Sequence, residues 1–194
     1  MKKIFLLSIF SVQMRFVADR MLGKLCTWLR ILGYDTVYAG SLCEGCEEDE
    51  KNDVEEDNRI LSFARKEKRI LLTRDKELAF NAERAGVKSI LVRSDDLDGQ
   101  LCELVSSLNL RLEPVAERCS ECNAPIRLVK RSEEAKLRSI DYVPKALIGK
   151  IDFWICDACG RIYWEGSHWR AIRERLKRIE SISREANLNE SQQE

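Results

Sequence analysis

Two Cys-x-x-Cys pairs constrain this chain more than any other feature: Cys119 with Cys122, and Cys156 with Cys159, separated by 33 residues. Each pair places two thiolates on one tight turn, and two such turns can close a tetrahedron of about 2.3 Å Zn–S bonds. Four sulfur ligands leave no open position, so the spacing predicts a structural Zn2+ rather than a catalytic one. A module of about 50 residues builds little core, and metal binding would supply its folding free energy. Asn123 and Gly160 directly follow the two pairs and suit the turn of a zinc knuckle. The competing reading is two redox-active or buried pairs. His168, the single histidine, is either a substitute ligand or an exposed residue at a helix start.

Eight cysteines in 194 residues suit either a secreted disulfide framework or metal binding in a reducing cytosol. The spacing favours metal, and with it a cytoplasmic protein. Cys26 and Cys102 fall on helix faces and read as core residues. Cys43 and Cys46 form a third pair in an acidic stretch. They read as a loop staple or as residues of no special role. A redox pair, a disulfide, or a half-site shared with a second chain (hence a homodimer) are the other readings.

The first thirteen residues carry two lysines and an apolar run, which resembles the start of a signal peptide. No small-x-small cleavage site follows. The preferred reading is an extension ahead of a start at Met14; a cleaved signal and an extra packed apolar segment are the alternatives. No run is long enough to span a bilayer, so no membrane association is expected.

From residue 15 the pattern alternates regularly. Strands are predicted at 15–18, 34–38, 69–73 and 87–92, and helices at 21–32, 57–67, 76–85 and 97–108. Leu22, Leu25, Trp28, Leu29 and Leu32 make one apolar stripe along the first helix, which Gly33 ends. RILLT at 69–73 reads as a buried strand of the parallel type. Strict βα alternation implies an α/β domain with a parallel sheet and helices on both faces. Its end is placed near residue 113. Residues 114–165 carry short β-like stretches at 127–130, 153–155 and 161–164 and little helix signal. An amphipathic basic helix follows at 167–183, and a disordered tail is expected at 186–194.

In an open parallel sheet, chemistry gathers at the carboxyl ends of the strands. Asp19 follows the first strand and Asp75 follows the third. Asp57 opens the helix between them and is either a third member of the group or a plain N-cap. Asp95 or Asp96, beyond the fourth strand, is the fourth candidate. Converging carboxylates are tolerated when a divalent cation neutralises them, and oxygen ligands alone select Mg2+ or Mn2+. Such an ion activates water for in-line attack on phosphate.

Thirty-three basic and thirty-three acidic residues cancel, so any nucleic-acid surface must be local. Lys24, Arg30 and Arg74 lie near the acids in sequence. Arg170, Arg173, Arg175, Lys177 and Arg178 line the last helix, close to Tyr163, Trp164 and Trp169. That combination suits single-stranded RNA; a solvated basic face is the equal alternative.

RFVADRMLGKLCTWLRILGYDT from residue 15, DNRILSFARKEKRILLTRDKEL, ILVRSDDLDGQL and the two cysteine pairs, in that order, resemble the Mut-seven C-terminal RNase domain family. The resemblance covers 14–165. It implies a PIN-like α/β/α sandwich at 14–113, then a zinc ribbon with a C-terminal basic helix at 114–185. It also implies metal-dependent ribonuclease activity on single-stranded RNA. Asp19, Asp57 and Asp75 are then the Mg2+ or Mn2+ ligands, with Asp95 or Asp96 the fourth acid. Gly23, Lys24, Trp28, Arg30 and Arg74 match motif positions; Lys24, Arg30 and Arg74 are the expected RNA contacts. A non-catalytic RNA- or ribosome-binding zinc-ribbon protein is the alternative, and a redox protein the third reading.

Overall fold

The computed structural model describes residues 14–43 and 53–190. The expectations for residues 1–13 and for the pair formed by Cys43 and Cys46 lie outside the described residues. The chain divides into two compact units, Met1–Cys26 with Tyr34–Arg93, and Thr27–Gly33 with Ser94–Glu194.

The first unit holds a four-stranded parallel sheet, as the alternating pattern requires. Its strands are β1 (Arg15–Ala18), β2 (Asp35–Tyr38), β3 (Ile70–Thr73) and β4 (Ser89–Leu91), in the order β2-β1-β3-β4. Phe16, Val17, Ala18, Leu71 and Leu72 have no exposure, so both faces of the two central strands are covered. On one face Val17 and Leu71 pack against Ile60, Leu61 and Ala64 of α2 (Asp53–Lys66) and Leu78 and Ala82 of α3 (Lys76–Arg84). Phe16 and Ala18 point to the opposite face by strand alternation. There α1 (Gly23–Ile31) connects β1 to β2 and buries Leu25 and Cys26. The connection from β1 runs one way along the sheet and that from β3 the other. Right-handed crossovers therefore place their helices on opposite faces.

Local chemistry sets the boundaries. Asp75 caps α3 by accepting from the backbone N–H groups of Glu77 (2.7 Å) and Leu78 (3.0 Å). A left-handed Gly86 ends it, with the Val87 N–H reaching the Ala82 carbonyl at 2.9 Å. α2 starts at Asp53, four residues before the expected opening at Asp57. The acidic run there carries no punctuation that would mark a helix start. On the side of the sheet where β2 and β3 begin, Arg69 and Asp35 form a buried two-pronged ion pair (2.7 and 3.2 Å).

The second unit contains α4 (Leu97–Leu108), capped by Asp96 and ended by a left-handed Asn109. It also contains the antiparallel sheet β5 (Ile126–Leu128), β6 (Phe153–Cys156) and β7 (Ile162–Trp164), in the order β5-β6-β7. The long helix α6 (Ser167–Glu190) extends past the expected end at 183. It buries Trp169, Leu176, Ile179 and Ser183, spaced at seven, three and four residues as one helix face. Between the cysteine pairs the chain forms α5 (Glu134–Arg138), a helix too short to register in the sequence pattern. It contributes Leu137 to a small core with Val143, Ile148, Phe153 and Ile162.

Leu71 is fully enclosed in the main core. Leu71→Ala should cost about 2–5 kcal/mol through lost burial and the cavity left behind. An urea titration should show it as a lower midpoint.

Candidate metal centre and acidic strand edge

The thiols of Cys119, Cys122, Cys156 and Cys159 have their sulfurs all within 4.8 Å of one another. Cys119 lies 3.5 Å from Cys159, and Cys122 lies 3.4 Å from Cys156. A tetrahedron with 2.3 Å bonds has edges of about 3.8 Å, so the four sulfurs are close to a zinc-sized shell. The two knuckles repeat one backbone pattern. Asn123 N–H donates to the Cys119 carbonyl (3.0 Å) and Gly160 N–H to the Cys156 carbonyl (2.8 Å). Asn123 and Gly160 are both left-handed, at φ 66° and 76°, as their position after each pair requires. The Cys122 N–H also points at Cys119 Sγ, at 3.5 Å. The donor set can hold a metal such as zinc, with every ligand position taken by the protein.

Electrostatics inside the cluster are uneven. Burial pushes the Cys119 thiol up, but the Cys122 N–H and the Tyr163 hydroxyl, 3.0 Å away, more than offset it and hold the thiol at about 7. Burial raises Cys159 to about 12 and also raises Cys122. Tyr163 therefore acts on the sulfur cluster; its hydroxyl oxygen also accepts from the Ser120 N–H at 3.2 Å. Arg30 is 7% exposed and donates to the carbonyls of Ser120 (3.1 Å) and Glu121 (2.5 Å) in the first knuckle. Trp169 is buried, and Arg173 lies over its ring. Arg175 pairs with Asp98 and lies over Trp28. His168 packs beside Trp164 and Trp169 and is outside the sulfur cluster.

The acidic residues are arranged differently. Asp19 is 9% exposed at the end of β1, and its N–H donates to the Leu72 carbonyl of β3 at 2.9 Å. Asp19 Oδ2 accepts from the Thr73 hydroxyl at 2.8 Å, and the Asp75 N–H donates to the same Thr73 oxygen at 2.9 Å. Thr73 thus ties together the two strand-end acids, a role its position in LLTRD did not announce. Asp75 is exposed, and its Oδ1 takes the helix-capping bonds. Asp57 is half-buried in the second turn of α2, so it is not the N-cap of that helix. The carboxylates of Asp19, Asp57 and Asp75 do not come within 4.8 Å of one another as a set; among the described residues only the cysteines do. In the second unit Asp95 is exposed, and Asp96 caps α4. The N–H groups of Gly99 and then Asp98 hold the Asp96 carboxyl below its usual range. Lys24 is exposed and Arg74 half-buried.

Removal of zinc tests the sulfur cluster. Purified protein should carry one zinc per chain by metal analysis, and Cys156→Ser should abolish it, with unfolding of the second unit seen as lost near-ultraviolet signal. Arg127 offers a second check. It pairs with Glu133 (2.8 and 2.9 Å) and with Asp157 between the second pair of cysteines (2.7 and 2.9 Å). The Arg127 guanidinium holds Glu133 at about 2 instead of 4.5. Stability from this pair is therefore present above 4.5 and is lost as pH falls through about 2. In a carboxyl NMR titration, Arg127→Gln should move the Glu133 midpoint back up towards 4.5.

No described helix is long and apolar enough to cross a membrane. No curated protein and no solved structure matches the chain. Residues 14–176 match the family model described as Mut7-C RNAse domain, which covers most of the chain. The protein belongs to the Mut7-C RNAse domain family.

Proposed function

We propose that the chain is a metal-dependent ribonuclease acting on single-stranded RNA, with a PIN-like domain at 14–113 and a zinc ribbon with its helix at 114–185. The observation that carries this reading is the pairing of Asp19 with Asp75 through Thr73 at the carboxyl ends of β1 and β3. These are the two adjacent strands from which the chain departs in opposite directions, the place where open α/β sheets bind ligands. The family match supplies the reaction class.

Asp19 and Asp75 would hold Mg2+ or Mn2+, joined by Asp57 from α2. The bound ion would supply an activated water and charge stabilisation at phosphate. Thr73 fixes Asp19 Oδ2 in one direction, and the first turn of α3 fixes Asp75 Oδ1. Asp75 Oδ2 takes no hydrogen bond among the described residues, which suits it to a metal. Lys24 and Arg74 are the side chains assigned to phosphate contacts. Arg30, bound to knuckle carbonyls, is assigned to the ribbon instead.

One observation favours a second reading, a non-catalytic RNA- or ribosome-binding ribbon: both strand-end acids also serve as local caps. A single assay separates the two. With Mn2+, wild-type protein should cleave an unstructured RNA, and Asp19→Asn combined with Asp75→Asn should lower the rate by at least about a thousandfold, as loss of a catalytic metal implies. Equal cleavage by the double variant defeats the ribonuclease reading. RNA retention with no turnover under any divalent metal establishes the second.

A further inference from the structure

Glu56 is 8% exposed, although it lies in a run of acids whose neighbour Glu55 faces solvent. Its Oε1 is closed off from solvent and receives no well-aligned hydrogen bond. That oxygen instead faces Arg20 Nε at 3.0 Å. A carboxylate placed this way is costly unless its cation is held in return, and α2 could carry an apolar residue here at less cost.

Arg20 is the residue directly after Asp19. Its own N–H donates to Asp19 Oδ1, and its carbonyl accepts from the Tyr38 hydroxyl at 3.1 Å. Tyr38 is itself confined. A Cβ on Gly40 would stand 2.5 Å from its ring, and one on Gly23 would stand 3.6 Å away. Residue 20 is therefore held at three points: its guanidinium by Glu56, its carbonyl by Tyr38 and its N–H by Asp19. Asp19 in turn is held on its second oxygen by Thr73.

From this we infer that Glu56 is a positioning residue, which orients the Asp19 carboxylate by anchoring Arg20, with Tyr38 fixing the same turn from the other side. Glu56 need not touch metal or RNA; it sets the direction in which Asp19 presents its oxygens. The inference rests on the reading of Asp19 as a metal ligand.

The test uses the full chain, Mn2+ and an unstructured RNA, with Mn2+ affinity followed by the loss of the free-ion EPR signal. Glu56→Gln keeps the shape and removes the charge. It should weaken Mn2+ binding and lower kcat by about 10- to 100-fold, the usual effect of losing the partner of a ligand. KM for RNA should stay unchanged. Arg20→Gln should act in the same direction, and the two changes together should cost no more than the larger alone, because they interrupt one connection. Arg20→Lys should restore part of the loss. Tyr38→Phe keeps the ring between its glycines and should give a smaller loss of the same kind, which covers the case in which Glu56→Gln does not fold. Wild-type Mn2+ affinity in Glu56→Gln overturns the inference. So do losses that multiply in the double variant, or a change confined to KM. Failure of the ribonuclease reading looks different: RNA is then not cleaved by wild-type protein, while the effect of Glu56→Gln on Asp19-dependent Mn2+ binding is still measured and still decides the inference. If Asp19→Asn leaves Mn2+ affinity unchanged, Asp19 is not a ligand and the inference falls with it.

Discussion

The pairing of β1 with β3 is the constraint on which the first unit depends. Phe16, Val17 and Ala18 run beside Ile70, Leu71 and Leu72 in parallel register, and five of these six side chains have no exposure. Parallel strands need crossovers, so each strand must be followed by a helix that covers a face. The ladder continues one step beyond β1, through the Asp19 N–H to the Leu72 carbonyl. Asp19 is thus fixed by the same hydrogen-bonding pattern that holds the sheet together. Thr73 adds a side-chain connection at the next position, and α3 begins immediately after it. Core, strand end and candidate chemistry are consecutive residues of one structure, and a shift of register between β1 and β3 would displace both acids at once.

The second unit is organised around sulfur. Its small core between the cysteine pairs comprises Leu137, Val143, Ile148, Phe153 and Ile162. That is little apolar area for a module with three short strands, and a metal held by the four cysteines would supply what burial does not. Polar contacts then fasten the knuckles to their surroundings. Arg30 binds two carbonyls of the first, Arg127 binds Asp157 of the second, and Tyr163 bonds directly to Cys119. These are connections of the kind that orient metal ligands, made by long side chains reaching from separate elements.

Much of this was legible in the sequence because period and punctuation agreed. β1 at 15–18 and α4 at 97–108 carry unbroken patterns and clear caps, and the observed bounds coincide with those expected. The sulfur cluster followed from spacing alone. What stayed hidden depends on partners far away in the chain. Arg30 looked like a phosphate contact, yet its guanidinium reaches carbonyls some ninety residues later. Trp169 and Tyr163 looked like stacking platforms, but one is buried under Arg173 and the other is bonded to a thiol. Glu56 was invisible inside an acidic run, since composition does not say which of three adjacent acids turns inward. Residue type tells what a side chain can do; only packing tells which neighbour receives it.

The closeness of the four sulfurs has a converse. Two close separations run between the knuckles, 3.5 Å from Cys119 to Cys159 and 3.4 Å from Cys122 to Cys156. A disulfide needs its sulfurs about 2 Å apart, so little movement separates these pairs from bonding. In a chain without metal under oxidising conditions, bridges between the two knuckles lie within reach. They would fasten the two turns to each other while consuming all four ligands. Oxidation would then leave no thiol free to take up a metal until the bridges are reduced.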